Sequence, residues 1–164
     1  MASNWTDRRV VITGMGVVSP LGTDVETFWR RLVAGECGVD RIKAFDPSQF
    51  DTQIAAEVRD FDPTPAFPSP KDVRRTDRYS QFGVHAAWQA LKDSGLDLDK
   101  VDRDEFGVLI GSGIGGLETT TAQHATLLQR GPGRLSPFMI PMLISNMASG
   151  LVSMYHGLRG PNFA

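Results

Sequence analysis

The 164-residue sequence contains only one cysteine, Cys37. A single cysteine excludes an internal disulfide bond and a metal cluster built on cysteine ligands, and it fits a reducing compartment. A reactive thiol needs a cationic or histidine neighbour, whereas the residue before Cys37 is Glu36. We therefore interpret Cys37 as a small packing residue and not as a nucleophile.

Histidine is also scarce, and the three histidines, His85, His124 and His156, are far apart in the sequence. None is spaced with another histidine or a carboxylate as a metal site requires. No Ser/His/Asp set and no G-x-S-x-G turn of the hydrolase type is visible. We predict three structural histidines with satisfied hydrogen bonds, no bound metal and no cofactor.

The chain has neither an excess of charge nor a long apolar run. Its net charge is −2, so no strong field attracts nucleic acid or a membrane surface. The first seven residues have no basic and no apolar region, so we expect no signal peptide. The stretch 139–158 is apolar but interrupted by polar residues, whereas a membrane span requires about 20 mostly apolar residues. We interpret this stretch as a buried or subunit-facing helix.

Two β-branched runs that end in glycine predict buried strands, over residues 9–14 and 106–111. A weaker signal predicts a short strand within 52–58. Helical segments separate these strands along the chain, which is long enough for one domain. Strands that alternate with helices predict an α/β fold with a largely parallel sheet.

Helix signals appear in three further places, over residues 23–34, 70–94 and 117–129. The first is predicted to begin with a capping box, in which Thr23 and Glu26 satisfy each other's backbone amides. The second has serine as its cap and proline in its first turn, and glycine follows its last residue.

Both predicted strands lead into glycine-rich turns, at 14–22 and 111–116. In each turn the glycine spacing departs from the dinucleotide-binding fingerprint, and no clear acidic residue follows the first at the expected distance. Glycine also permits positive φ and close backbone approach, and we favour this structural interpretation. A dinucleotide-binding domain remains a remote alternative.

Four basic residues, Lys71, Arg74, Arg75 and Arg78, cluster around one predicted helix start. Such charges commonly belong to a solvated face. The functional alternative is a docking surface for an acidic partner, which acts mainly by steering the encounter.

Eight segments, in this order, form the most informative pattern of the sequence: 8–22, 28–29, 32–38, 93–96, 111–117, 136–138, 146–147 and 157–161. Together they resemble the type II elongating β-ketoacyl-acyl-carrier-protein synthases, which belong to the thiolase superfamily. The similarity covers essentially the whole chain. The chain itself corresponds to less than half of a typical member of that family.

The resemblance implies that residues 1–164 are the first half of a thiolase-like fold, with α-β-α-β-α layers and a mixed five-stranded sheet. It implies a cytoplasmic homodimer that takes acyl chains from acyl carrier protein and extends them by decarboxylative Claisen condensation in fatty-acid elongation. The family's nucleophilic cysteine, its two histidines and its lysine all fall after Ala164. We therefore expect no catalytic residue in these 164 residues, and no activity from them alone.

The resemblance also assigns binding residues. Ile114 matches the residue that gates acyl chain length, and Met139 and Ile140 match residues that line the pocket of the partner subunit. The complete substrate-binding set is Gly113, Ile114, Met139, Ile140 and Leu143. The residues that match carrier-protein docking positions are Lys71, Arg74, Arg75 and Arg134.

A second function fits the same resemblance. In a chain-length-factor-like subunit of a polyketide ketosynthase, the nucleophile position is not cysteine, and this half of the sequence does not distinguish the two. For the isolated half we also expect poor solution behaviour, because apolar surface would be exposed.

Overall fold

The computed structural model describes residues 9–164 of the chain. Its elements in chain order are α1 (Val25–Val33), β1 (Asp40–Arg41), β2 (Ile54–Ala55), α2 (Pro70–Val73), α3 (Arg78–Ser94), β3 (Val108–Leu109), α4 (Leu117–Arg130), α5 (Met139–Leu143), α6 (Met147–His156) and β4 (Asn162–Phe163), with 3-10 helices at Thr64–Ala66 and Pro132–Arg134. None of the helices in this part of the chain is both long and apolar enough to cross a membrane.

Helices α3 and α6 pack against each other and form the centre of the molecule. Gly83 makes their close approach possible, because a Cβ at this position would lie only 3.3 Å from the Cβ of Ala148. Strands β3 and β4 also lie against α6. The buried apolar side chains around this contact are Ala66, Phe67, Val84, Ala148, Leu151, Val152 and Leu158.

Strand pairing is limited to two short pairs within the described residues. β3 and β4 are parallel, with Val108 opposite Asn162, and β1 and β2 are antiparallel, with Asp40 opposite Ala55. The strands predicted over 106–111 and 52–58 are therefore present but short. The first is not buried as predicted, because Leu109 is 75% exposed. The five-stranded sheet is not formed within residues 9–164, where each sheet has two strands.

The prediction of a buried strand over residues 9–14 is wrong for this structure. The segment has no assigned strand, and Val10 and Ile12 are 91% and 85% exposed. A strand needs hydrogen bonds to a neighbouring strand. Here the backbone just after residues 9–14 is instead held by side chains of α3. The amide of Met15, for example, donates to Asp93 at 2.8 Å.

The N-cap of α1 lies one residue after the predicted one. Asp24, and not Thr23, is the N-cap, and its carboxyl oxygen accepts the amide of Thr27 at 2.8 Å. Both residue types cap helices, and aspartate is preferred over threonine, which agrees with Asp24 taking this role. Gly35 has a φ of +71° just after the helix end, as expected for a terminating glycine.

The helix predicted over 70–94 is divided into α2 and α3. Ser69 caps α2 as predicted, and Gly95 ends α3 with a φ of +64°. Between the two helices the chain leaves helical geometry, and Asp77 begins α3 as a second N-cap. The stretch 139–158 is likewise divided, into α5 and α6, whereas the helix predicted over 117–129 is confirmed as α4.

Candidate functional site

A glycine-rich loop, residues 111–116, leads from β3 into α4 and lies directly against α5. A Cβ on Gly115 would lie less than 3.0 Å from the carbonyl oxygen of Leu143, and a Cβ on Gly116 would be equally close to that of Met142. The amide of Gly116 donates to the carbonyl of Leu143 at 2.8 Å. Gly115 has a φ of +80°. The loop therefore needs glycine at both positions.

Apolar side chains project from this contact between the loop and α5. Ile114 is 68% exposed at the tip of the loop, and nothing lies within 4 Å of a Cβ placed on Gly113. Ile140 is exposed, and Met139 and Leu143 are half-buried. The structure thus brings the loop carrying Gly113 and Ile114 against the Leu143 end of α5, while Met139 and Ile140 lie at its other end. Exposed apolar groups on a rigidly held loop suit an apolar ligand.

The four predicted docking residues lie in two places. Lys71 is on α2 and Arg74 and Arg75 follow it, while Arg134 is in the 3-10 helix Pro132–Arg134. Within residues 9–164 none of the four side chains forms an ion pair. The guanidinium of Arg75 lies 4.2 Å from the ring centroid of Phe138, so the two parts of the sequence meet next to the start of α5.

Two side chains at the start of α3 were not identified from the sequence. Asp77, which is 5% exposed, accepts the amides of Tyr79 and Thr119, and the Tyr79 hydroxyl donates to the carbonyl of Ile144. An aspartate that precedes an apolar-periodic segment is a helix-cap signal, so Asp77 could have been recognised as a cap. The hydrogen bond from Thr119, 42 residues away, could not have been recognised in the same way.

The prediction that all three histidines have satisfied hydrogen bonds is wrong. His85 is buried beside Phe61 and Trp88, and its Nδ1 atom has no hydrogen-bond partner. Burial lowers the pKa of His85, and the carboxylate of Asp62 opposes that effect only partly.

His156 is half-buried, its Nε2 atom also lacks a partner, and burial lowers its pKa as well. His124 is exposed on α4. Cys37 is exposed too, so its interpretation as a packing residue is wrong. Within the described part of the chain, no group of three or more histidine, cysteine or carboxylate side chains could hold a metal ion.

The first glycine turn has a structural explanation that needs no nucleotide. A Cβ on Gly14 would lie less than 3.0 Å from the carbonyl oxygen of Ala90, and a Cβ on Gly16 would be as close to that of Ala86. Both glycines therefore allow the backbone to lie directly on α3. This close approach agrees with the structural interpretation of the glycine spacing.

Solved structures with the same fold identify the class of protein. A structure described as the ishigamide ketosynthase/chain length factor aligns with 95% of this chain and 38% of its own length, at a TM-score of 0.80 and 32% identity. A β-ketoacyl synthase from Burkholderia phymatum aligns with 96% of this chain and 38% of its own, at a TM-score of 0.76 and 28% identity. The α/β fold is that of one part of a thiolase-like ketosynthase, which confirms the predicted fold class.

The family model for the β-ketoacyl synthase N-terminal domain matches residues 7–164. The chain belongs to this family. Among curated relatives, 3-oxoacyl-(acyl-carrier-protein) synthase 2 of Coxiella burnetii is 52% identical and that of Vibrio harveyi is 47% identical, each over 157 residues. These alignments cover 96% of this chain but 38% of each relative.

Proposed function

We propose that this chain is the front part of an elongating β-ketoacyl-acyl-carrier-protein synthase. The proposal is supported by the name that the curated relatives share, and by the 38% of their length that the chain spans. The remaining part of such a protein carries the nucleophilic cysteine, the histidine pair and the lysine. Residues 1–164 alone are then inactive, and they form the first of two similar halves of the catalytic unit.

The reaction is a decarboxylative Claisen condensation. The cysteine thiolate attacks the acyl thioester of the carrier protein, forms an acyl-enzyme thioester and expels the carrier's thiolate, which takes up a proton. Malonyl-carrier protein then loses carbon dioxide, and the carbanion that remains attacks the acyl-enzyme carbonyl and expels the cysteine thiolate. Hydrogen-bond donors aimed at the developing negative charge lower the barrier to these steps.

In this reaction the described residues hold the acyl chain. The observation that carries this role is the exposed Ile114 on a loop that Gly115 and Gly116 fix against α5. Ile114 gates the length of the acyl chain. Gly113 and Leu143 complete the pocket of the same subunit, and Met139 and Ile140 extend into the pocket of the second subunit of a homodimer.

The basic residues Lys71, Arg74, Arg75 and Arg134 dock the acidic acyl carrier protein. Their side chains form no ion pair within residues 9–164, so they are available to carboxylates of a partner. One structure of the same fold is described as a type II PKS acyl-carrier protein in complex with its ketosynthase, with a TM-score of 0.75 and 25% identity. The protein then acts in the cytoplasm, where this carrier delivers its substrates.

The relatives' names favour an elongating synthase over a chain-length-factor-like subunit. An assay of the full-length chain that contains these residues tests this choice. Incubation with acyl-carrier and malonyl-carrier protein should give one β-ketoacyl-carrier product per carbon dioxide, measured by mass spectrometry. A product only after addition of a second ketosynthase subunit would indicate the chain-length-factor-like role. Saturable binding of NAD(H) or NADP(H) without condensation would instead indicate a dinucleotide-binding domain.

A substitution at the gate tests the role of Ile114. Ile114→Phe should shift the product distribution to shorter chains, because the larger side chain fills the space that the distal carbons occupy. Leu117→Phe, also exposed but on the first turn of α4, is the matched control and should keep the wild-type distribution. Equal product profiles for Ile114→Phe and the wild type would contradict the gating role.

A further inference from the structure

The carboxyl group of Asp77 joins two helix N-termini. One oxygen accepts the amide of Tyr79 in α3, at 3.3 Å, and the other accepts the amide of Thr119 in α4, at 2.8 Å. Both Asp77 and Thr119 are buried. A single side chain therefore caps its own helix and also one that begins 40 residues later in the sequence.

Helix α4 needs this cap because it cannot supply its own. The first amides of a helix have no intrahelical partner, and a side chain at the N-cap commonly satisfies one of them. The N-cap of α4 is Gly116, which makes no side-chain hydrogen bond. Any side chain at Gly116 would collide with the carbonyl of Met142. The close contact between α5 and the loop 111–116, here called the gate loop, thus excludes a local cap, and Asp77 takes its place.

The segment around Asp77 also connects the docking residues with both walls of the proposed acyl pocket. Arg75 contacts Phe138, immediately before α5, and Tyr79 donates to the carbonyl of Ile144, immediately after α5. Asp77 reaches the start of α4, directly behind the loop that carries Ile114. Three neighbouring side chains therefore link one docking segment to both ends of α5 and to α4.

We propose that Asp77 is a positioning residue that keeps α4, and with it the Ile114 loop, in register with α5. It thereby connects the carrier-docking segment to the chain-length gate. This inference rests on the proposed function for the meaning of the gate, whereas the positioning itself is a property of the fold. Both oxygens of the buried Asp77 accept backbone amides, so its role is exerted through α3 and α4.

The decisive variant in the full-length chain is Asp77→Ser, because serine still caps α3 but is too short to reach Thr119. Amide hydrogen exchange should become about tenfold faster at Thr119, as expected for the loss of one hydrogen bond, and faster also over 113–118. Exchange at Val152 in α6 should stay at the wild-type rate. Tyr79→Phe is the matched control: it should affect residues 144–147 and leave Thr119 unchanged.

A functional measurement separates positioning from general stabilisation. In Asp77→Ser, the ratio of kcat/KM between long-chain and short-chain acyl carriers should change several-fold, while KM for the carrier protein stays constant. Unchanged exchange over 113–119, or uniformly faster exchange with an unchanged ratio, would overturn the proposal.

The proposal stays testable if the serine variant does not fold or if the wild-type protein is inactive. If Asp77→Ser does not fold, Asp77→Asn is used, because its NH2 group replaces one of the two accepting oxygens and cannot accept a backbone amide. Faster exchange at either Thr119 or Tyr79 supports the double cap, and wild-type exchange at both contradicts it. If the wild-type protein does not condense its substrates, the proposed function fails, and the exchange data still decide whether Asp77 holds the loop.

Discussion

Replacing Gly115 by alanine tests whether the gate loop is held rigidly against α5. Two costs are expected. The φ of +80° is unfavourable for a residue with a Cβ, by roughly 1–2 kcal/mol. The new Cβ would also lie less than 3.0 Å from the carbonyl oxygen of Leu143, and forced overpacking of this kind costs roughly 1–3 kcal/mol. Together they lower the free energy of unfolding by roughly 2–5 kcal/mol.

Two other glycines separate these costs. Gly95 also has a positive φ, of +64°, but nothing lies within 4 Å of a Cβ at its position. Gly95→Ala should therefore show only the backbone cost of roughly 1–2 kcal/mol. Gly113 lies in the same loop as Gly115, has no positive φ and has open space around it. Gly113→Ala should stay within about 0.5 kcal/mol of the wild type.

Urea denaturation followed by tryptophan fluorescence measures all three variants. The expected order of destabilisation is Gly115→Ala, then Gly95→Ala, then Gly113→Ala. A loss for Gly115→Ala no larger than that for Gly95→Ala would show that the loop relaxes away from α5. The rigid placement of Ile114, and with it the structural support for the gate, would then be refuted.

Three further predictions concern the cap of α1, a buried histidine and an exposed strand. Asp24→Ala should lower the free energy of unfolding, measured by urea denaturation, by about 1 kcal/mol, the usual value for a lost helix cap, whereas Thr23→Ala should be nearly neutral. The reverse order would favour the capping box predicted from the sequence. Burial lowers the pKa of His85 below its ordinary 6.5, so the folded chain binds a proton at this histidine less readily than the unfolded chain. The contribution of His85 to the free energy of unfolding is therefore fully present above pH 6.5 and is lost as the pH falls below that value. His85→Phe should reduce this decline in a series of melting temperatures, leaving the part due to His156, and an unchanged slope would contradict the assignment. Leu109→Ala should scarcely destabilise the 164-residue chain, where Leu109 is 75% exposed. In a full-length protein that buries Leu109, the same change should lower the free energy of unfolding by about 2–5 kcal/mol. Equal effects in the two proteins would contradict a second half that covers this strand.

Several helix ends were predicted accurately from the sequence. Ser69 caps the start of α2 and Gly95 ends α3 as expected, and α4 ends within one residue of its predicted end. The break between α2 and α3 was missed because its cause is tertiary. Residues 74–77 are compatible with a helix, but Asp77 leaves helical geometry and bonds to Thr119, which no local pattern reveals.

Strands were predicted less well for a related reason. The run 9–14 has the β-branched composition of a strand, yet a strand exists only where a second backbone completes its ladder. Within the candidate site, the resemblance supplied Ile114 and the apolar residues of α5. The packing of Gly115 and Gly116 against α5 could not be predicted, because the sequence does not say which backbone a glycine approaches.

The exposed edge of the β3–β4 pair and the uncovered run 9–14 have a consequence for how the protein is made. In a protein of the relatives' length, these residues leave the ribosome while more than half of the chain is still to be synthesised. At ordinary rates of translation this delay is on the order of tens of seconds. During that time Ile12 and Leu109 face solvent beside unpaired backbone groups, which can pair with the same segments of neighbouring nascent chains. Low expression temperature, which slows association between nascent chains, should therefore raise the yield of folded protein.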